Sequence, residues 1–246
     1  MNQTYTITFG DQAENHVGMA KIGTLASTGF NIEDLKTAKD WVIKRGIETE
    51  IYDLSANAAV GVEKTYIMIA KNGLSAICNP DDFFTEQSCL EKDTKALMYG
   101  RVVNKKARHN LCFDITAQEP NYENGHGRII AFNEVPLLNA LRLSLFSIVG
   151  EKANDLNEGN YYYDITKCGI GMHGDSERRR VIGVRIGATL PLRFQWFYQC
   201  KPFGPSMDFN LDHGDQYIMS EKAVGTDWKL CNIPTLRHAA GCAKFL

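Results

Sequence analysis

Two short pieces of the chain carry residue types that can hold a metal ion. His173-Gly174-Asp175 places a histidine and a carboxylate two positions apart, and His238 follows much later in Thr235-Leu236-Arg237-His238-Ala239-Ala240. In a β-strand, residues i and i+2 point to one face, so His173 and Asp175 can reach a common ion while Gly174 points away. Two imidazoles and one carboxylate form the facial set that binds Fe(II) and leaves its other positions open to a co-substrate and dioxygen. The chemistry would be oxidative, provided that His238 meets the first pair in space. The remaining histidines are poorer candidates. His213 lies in the polar turn Asp212-His213-Gly214-Asp215, and His16, His109 and His126 have no acid at the His-x-Asp spacing.

Positioning these residues requires a folded core, and 246 residues with 44% hydrophobic content can supply one large domain or two small ones. A net charge of −2 excludes a global basic field of the kind that drives non-specific nucleic-acid binding, so any such contact needs a local patch. The chain opens without a basic and apolar leader, and no stretch is long and apolar enough to span a bilayer. The protein therefore reads as soluble and intracellular. Its seven cysteines, odd in number and without a Cys-x-x-Cys, read as reduced thiols rather than a disulfide framework or a structural zinc site.

Residues 1–80 read as a small α/β N-terminal region. Strands are expected over Thr4 to Phe9, Glu48 to Tyr52 and Thr65 to Ala70, with a helix from about Asn31 to Arg45. Asn31 caps that helix, Glu33 and Asp34 favour its N-terminal dipole, and Gly46 stops it. Asn72-Gly73 reads as a tight turn between two apolar runs. The polar stretch 79–96 reads as a connecting segment, so 81–246 forms the second domain. There, Pro136 opens a helix to about Val149 with Leu138, Leu141, Leu145 and Ile148 on one face, a buttress for a sheet. From Tyr161 onward, short β-like runs near Gly169, Val181, Leu192, Met207, Gln216 and Pro234 indicate a closed or two-sheet β architecture. The expected fold is α+β, a jelly roll with buttressing helices.

The ordered motifs resemble a known superfamily, the Fe(II)/2-oxoglutarate-dependent oxygenases with a double-stranded β-helix core. Gly169-Ile170-Gly171-Met172-His173-Gly174-Asp175-Ser176-Glu177, Val181 to Thr189, Arg193-Phe194-Gln195-Trp196-Phe197 and Leu211 to Met219 are similar to AlkB-type nucleic-acid dealkylases. Thr235 to Ala240 instead resembles the distal-histidine segment of prolyl 4-hydroxylases. The resemblance covers roughly residues 95 to 246. It implies His173, Asp175 and His238 as iron ligands, and a basic residue that holds the distal carboxylate of 2-oxoglutarate. Both related groups place that residue on a strand beyond the distal histidine, where this chain offers only Lys244. Arg185, on the strand after His-x-Asp, is the alternative, unless it is an outward salt-bridged arginine. Tyr163, ten residues before His173, sits near where AlkB-type enzymes use a tyrosine against the co-substrate, or packs within the aromatic run Tyr161 to Tyr163.

Lys105-Lys106-Ala107-Arg108-His109 resembles the substrate-side segment of AlkB-type proteins, where Lys105, Lys106 and Arg108 would hold nucleic-acid phosphates. The alternative is a solvated basic loop. Arg178-Arg179-Arg180 adds charge near the expected metal mouth. The resemblance thus implies a dioxygenase that uses dioxygen to hydroxylate or oxidatively dealkylate a nucleic-acid base or nucleotide. Its prolyl-hydroxylase-like end favours a protein side chain instead, and a non-catalytic β-helix binding module is the alternative of a different class.

Overall fold

The computed structural model describes residues 1–56, 58, 61–153 and 156–246. In chain order the elements are β1 (Thr4–Gly10), β2 (Gln12–Glu14), β3 (Lys21–Gly23), α1 (Ile32–Ile43), β4 (Thr49–Asp53), β5 (Tyr66–Ala70), α2 (Pro80–Cys89), β6 (Lys95–Met98), β7 (Arg101–Asn104), β8 (His109–Asp114), β9 (Ile129–Ala131) and α3 (Pro136–Val149). They continue as β10 (Leu156–Tyr162), β11 (Gly169–His173), β12 (Val181–Gly187), β13 (Leu190–Tyr198), β14 (Lys201–Leu211), β15 (Gln216–Met219), α4 (Glu221–Val224) and β16 (Thr235–Gly241).

An eight-stranded sheet runs β4-β5-β15-β12-β1-β10-β8-β9, and a four-stranded sheet runs β11-β16-β13-β14. All neighbouring pairs in them are antiparallel except β8 with β9. This is a sheet-rich α+β architecture compatible with a β-sandwich or jelly roll. Among the described residues, no helix is long and apolar enough to cross a membrane.

Side-chain alternation sorts the large sheet into two faces. Tyr5, Ile7 and Phe9 of β1, with Ile182, Val184 and Ile186 of β12, join a core completed by Leu35 and Ala38 of α1, Phe83 of α2 and Leu138, Leu141 and Leu145 of α3. The helices therefore buttress one face. From the opposite face, Val181, Tyr217 and Met219 meet Leu192, Phe194, Trp196, Leu236 and Ala240 of the small sheet in a second core. The other positions of β1, including Thr6 and Thr8, face a cavity between the sheets.

The boundary expected near residue 80 does not separate two cores. β1 lies in the middle of the large sheet, hydrogen-bonded to β10 and β12, while β5 pairs with β15. Residues of the first 80 thus form part of the cavity wall, because an isolated α/β piece of that size would leave both sheet edges and one face uncovered.

Three local expectations also change. The stretch 79–96 contains α2, with Pro80 in its first turn and the Asn79 side chain accepting from the backbone N–H groups of Asp81 (2.8 Å) and Asp82 (3.3 Å). The polar composition that suggests a connecting segment is instead that of a helix start, since Asp81 and Asp82 suit a helix N-terminus. Glu86 of α2 in turn accepts from the N–H groups of Leu137 (2.7 Å) and Leu138 (3.0 Å), supplying the cap that Val135 cannot give α3. Asn79→Ala should lower stability by about 1 kcal/mol in urea denaturation, the usual cost of losing an N-cap. Asn72 adopts a left-handed conformation (φ 50°) and leads into a 3-10 turn at Gly73–Ala76 instead of a hairpin. Finally, Cys200 and Cys231 are paired as a disulfide, contrary to seven free thiols. The β13–β14 turn brings Cys200 against the segment before β16, where the Gln199 N–H donates to the Cys231 carbonyl (3.1 Å).

Candidate metal centre

β11 and β16 are adjacent antiparallel strands, and their register sets His173 directly opposite His238. A register irregularity between Ile170 and His173 precedes this pair, as bulges beside functional sites commonly do. The imidazole centroids lie 4.4 Å apart at 61°. Asp175 sits just beyond the end of β11, its N–H donating to the Val224 carbonyl (3.0 Å), so the chain turns the carboxylate back toward both rings. Asp175 Oδ1 is 3.4 Å from His173 Nε2 and 3.7 Å from His238 Nε2. One potential ligand atom from each of the three residues lies within 4.8 Å of the others.

The residue between His173 and Asp175 has its own steric reason. A Cβ at Gly174 would overlap the Gly225 carbonyl and approach the Trp228 side chain, so the two backbones can touch only with glycine here. Gly174→Ala should therefore push the two segments apart. The expected result is a loss of about 1–3 kcal/mol in denaturant unfolding, together with weaker Mn(II) binding by titration calorimetry.

Local electrostatics favour ligation. Burial would raise the Asp175 pKa, but the nearby Arg178 guanidinium and the two imidazoles outweigh it and hold the carboxyl well below its usual range. Burial, reinforced by the neighbouring His173, pushes the His238 pKa down to about 4, so its ring is neutral and its lone pair available at neutral pH. His173 Nδ1 lies 2.8 Å from the Gly171 carbonyl. A proton on Nδ1 satisfies that contact and leaves Nε2 as the donor atom. The donor set thus fits a divalent cation with three protein ligands and open positions.

The cluster opens into a cavity of about 560 Å³ lined by residues of both sheets. Arg185 lies in it, 1% exposed, with Nε and Nη1 lacking any hydrogen-bond partner among the described residues. Burial lowers its pKa, and the Tyr162 ring centre lies 5.8 Å from its Cζ. Gly183 makes room alongside, because a Cβ there would overlap the Tyr217 ring. A buried guanidinium with two unanswered N–H groups fits a carboxylate partner. The salt-bridged, outward alternative for Arg185 does not hold.

Several expected residues fall elsewhere. Lys244 lies in the C-terminal 3-10 turn, its ammonium 4.8 Å from the Phe245 ring, and does not line the cavity. Tyr163 follows the last residue of β10 and turns away, donating to the Lys106 carbonyl (2.6 Å) and packing 4.9 Å from His109. Strand parity places Tyr162 in the cavity instead. Lys105 is removed from any basic surface patch: its ammonium donates to Oδ1 of Asn15 (2.6 Å) and of Asn110 (3.0 Å), and burial lowers its pKa to about 8. Lys106 is exposed, and Arg108 lines the cavity.

Arg178, read from sequence only as part of a basic run, is 4% exposed and joins the cluster to the large sheet. Its Nε lies 3.6 Å from Asp175 Oδ2, while its terminal nitrogens donate to Glu158 and to Thr8 Oγ1 (3.1 Å). The signal available was the polar alternation Glu158, Asn160, Tyr162 along a strand otherwise fit for burial. Glu177, also in the cavity, has its pKa raised to about 7 by burial and by Asp175.

Fold and site together define a sheet-rich α+β protein with a candidate metal centre between two largely antiparallel sheets. No family model matches the chain. It is 50% identical over 251 residues to "Uncharacterized protein R156" of Acanthamoeba polyphaga mimivirus, an alignment that spans 100% of this chain and 98% of that protein. The chain belongs to the family of that viral protein.

Proposed function

We propose that the protein is an Fe(II)- and 2-oxoglutarate-dependent oxygenase whose two facing sheets form a double-stranded β-helix core. The observation that carries this reading is the coincidence, in one cavity, of the His173, Asp175 and His238 cluster with the unpaired buried Arg185. When bound, iron and 2-oxoglutarate supply the oxidation of a substrate C–H bond by dioxygen, with succinate and carbon dioxide as co-products. The substrate in this reading is a nucleic-acid base or nucleotide, hydroxylated or oxidatively dealkylated.

The chain's own residues have separable tasks. His173 presents a ring nitrogen oriented through the Gly171 carbonyl, and His238 presents one kept unprotonated by burial. Asp175 supplies the negative charge, and Arg178 holds its second oxygen from behind. Arg185 answers the distal carboxylate of the co-substrate, an anion that would be costly to bury unpaired. Val181, Leu192, Met219 and Ala240 give the cavity an apolar wall that limits water near the reacting groups.

Purified protein supplied with Fe(II), dioxygen and a panel of nucleobases and nucleotides should convert 2-oxoglutarate to succinate, and His173→Ala should abolish the conversion. Absence of turnover across that panel, or turnover unchanged in His173→Ala, refutes the reading.

A further inference from the structure

The charges in the cavity are not evenly answered. Among its acids, Asp175 belongs to the cluster, Glu158 is held by Arg178 and by Asn160 Nδ2 (3.1 Å), Glu177 lies 3.5 Å from Arg178, and Glu14 accepts from the Gly18 N–H (3.0 Å). Its cations are less committed. Arg108 donates through Nε to Asn160 Oδ1 (2.6 Å), which also accepts from Asn110 Nδ2 (2.7 Å), so the guanidinium is fixed in place. Among the described residues Arg108 and Lys229 form no ion pair, Lys21 stands opposite Glu14 in the β2–β3 register without a close contact to its carboxylate, and all three line the cavity. Tyr162 lies within electrostatic reach of both Arg108 and Arg185. If Arg185 receives the co-substrate, Arg108 remains as a second, pre-oriented anion grip in the same space.

The surroundings do not provide for a long polyanion. Binding a strand requires a row of cations that tracks successive phosphates. Of the two basic runs, Lys105 is spent on Asn15 and Asn110, Arg178 on Glu158, Arg179 on Glu221, and Arg180 donates through Nε to the Thr28 carbonyl (2.8 Å). The cavity volume of about 560 Å³ falls within the roughly 300–1,000 Å³ of small-molecule sites.

We propose, resting on the oxygenase reading, that the substrate is a compact, freely diffusing molecule carrying an oxyanion, a phosphate monoester or a carboxylate, which Arg108 grips with help from Lys21. Its uncharged part then extends toward His173, Asp175 and His238, along a wall that includes Ile170 and Trp228. The free nucleotide is favoured over the nucleic-acid strand.

The test uses the full chain loaded with Mn(II), titrated with inorganic phosphate as the minimal oxyanion and separately with 2-oxoglutarate, following tryptophan fluorescence. Phosphate should bind whether or not 2-oxoglutarate is saturating. Its binding should weaken about tenfold in Arg108→Met and at least about threefold in Lys21→Glu, an exposed substitution that leaves the core intact. Arg108→Lys should recover part of the loss. Arg185→Met should leave phosphate binding within about twofold while weakening 2-oxoglutarate binding about a hundredfold. A single-stranded hexanucleotide should bind no more tightly than phosphate. No phosphate binding at millimolar concentration, competition between the two anions for one site, or tight hexanucleotide binding that survives Arg108→Met would each overturn the proposal. Phosphate binding through Arg108 with no 2-oxoglutarate binding would instead leave the anion grip standing and remove the oxygenase reading.

Discussion

Asp175→Ala should weaken Mn(II) or Co(II) binding by at least about a hundredfold in titration calorimetry and eliminate succinate formation. The size follows from what remains. Asp175 is the carboxylate shared between the two imidazoles, and Arg178 Nε lies 3.6 Å behind it. Without the carboxylate, a divalent ion would face two imidazoles and an adjacent guanidinium with no anion among its ligands, so an attraction is replaced by a repulsion in a partly desolvated site. Asp175→Asn separates these effects, since it retains an oxygen donor of similar shape but removes the charge. It should fall between the parent and Asp175→Ala. Metal binding within about threefold of the parent in Asp175→Ala would show that the cluster is a hydrogen-bonded structural group and not a ligand set.

Arg185→Met should move stability and co-substrate binding in opposite directions. Arg185 is 1% exposed and, among the described residues, carries two nitrogens without partners and forms no ion pair, the Asp215 carboxylate acting on it only from a distance, so the unliganded fold bears the cost of a buried, incompletely answered cation. Methionine fills similar volume without that cost, and chemical denaturation of the ligand-free variant should show a gain of about 1–3 kcal/mol. Over the same substitution, 2-oxoglutarate affinity should fall about a hundredfold, as expected for a charge-assisted pair in a dry pocket. A corollary concerns linkage: 2-oxoglutarate should raise the unfolding midpoint of the parent protein and leave that of Arg185→Met unchanged. Loss of stability with unaltered 2-oxoglutarate binding would assign Arg185 to the scaffold.

Much of this arrangement is legible in the amino-acid order, and the exceptions share a cause. The i, i+2 spacing of His173 and Asp175 and the β-like runs after Tyr161 predict which segments become strands. The apolar face of Leu138, Leu141, Leu145 and Ile148 likewise marks a helix that is buried in the main core. These are local periodicities, set by backbone geometry. What escapes is what depends on distant partners. Lys105 reads as a surface cation because nothing near it reveals that Asn15 will receive its ammonium. Tyr163 and Tyr162 differ by one residue, and only the pairing of β10 with β1 and β8 decides which phenol faces the cavity. Cys200 and Cys231 are separated by 31 residues, and no spacing rule joins them. The acids after Asn79 have a local signal, the Asn-Pro helix start, but it competes with the turn-forming tendency of the same residues.

The placement of β1 also governs when the molecule can become itself. Thr4 Oγ1 donates to the Ile186 carbonyl, 182 residues away, and Thr6 pairs with both Asn160 and Arg185. During synthesis the first strand emerges long before either neighbour exists. Closing so long a loop is entropically expensive, and folds dominated by such remote pairings form slowly. Until β10 and β12 are available, the apolar run Ile7 and Phe9 has no sheet to join, and the wall that carries Thr6 and Thr8 cannot form. A strand made well before its neighbours is thus among the last to find its partners, so a nascent chain released before β12 would carry an exposed, unpaired strand that invites association with other chains.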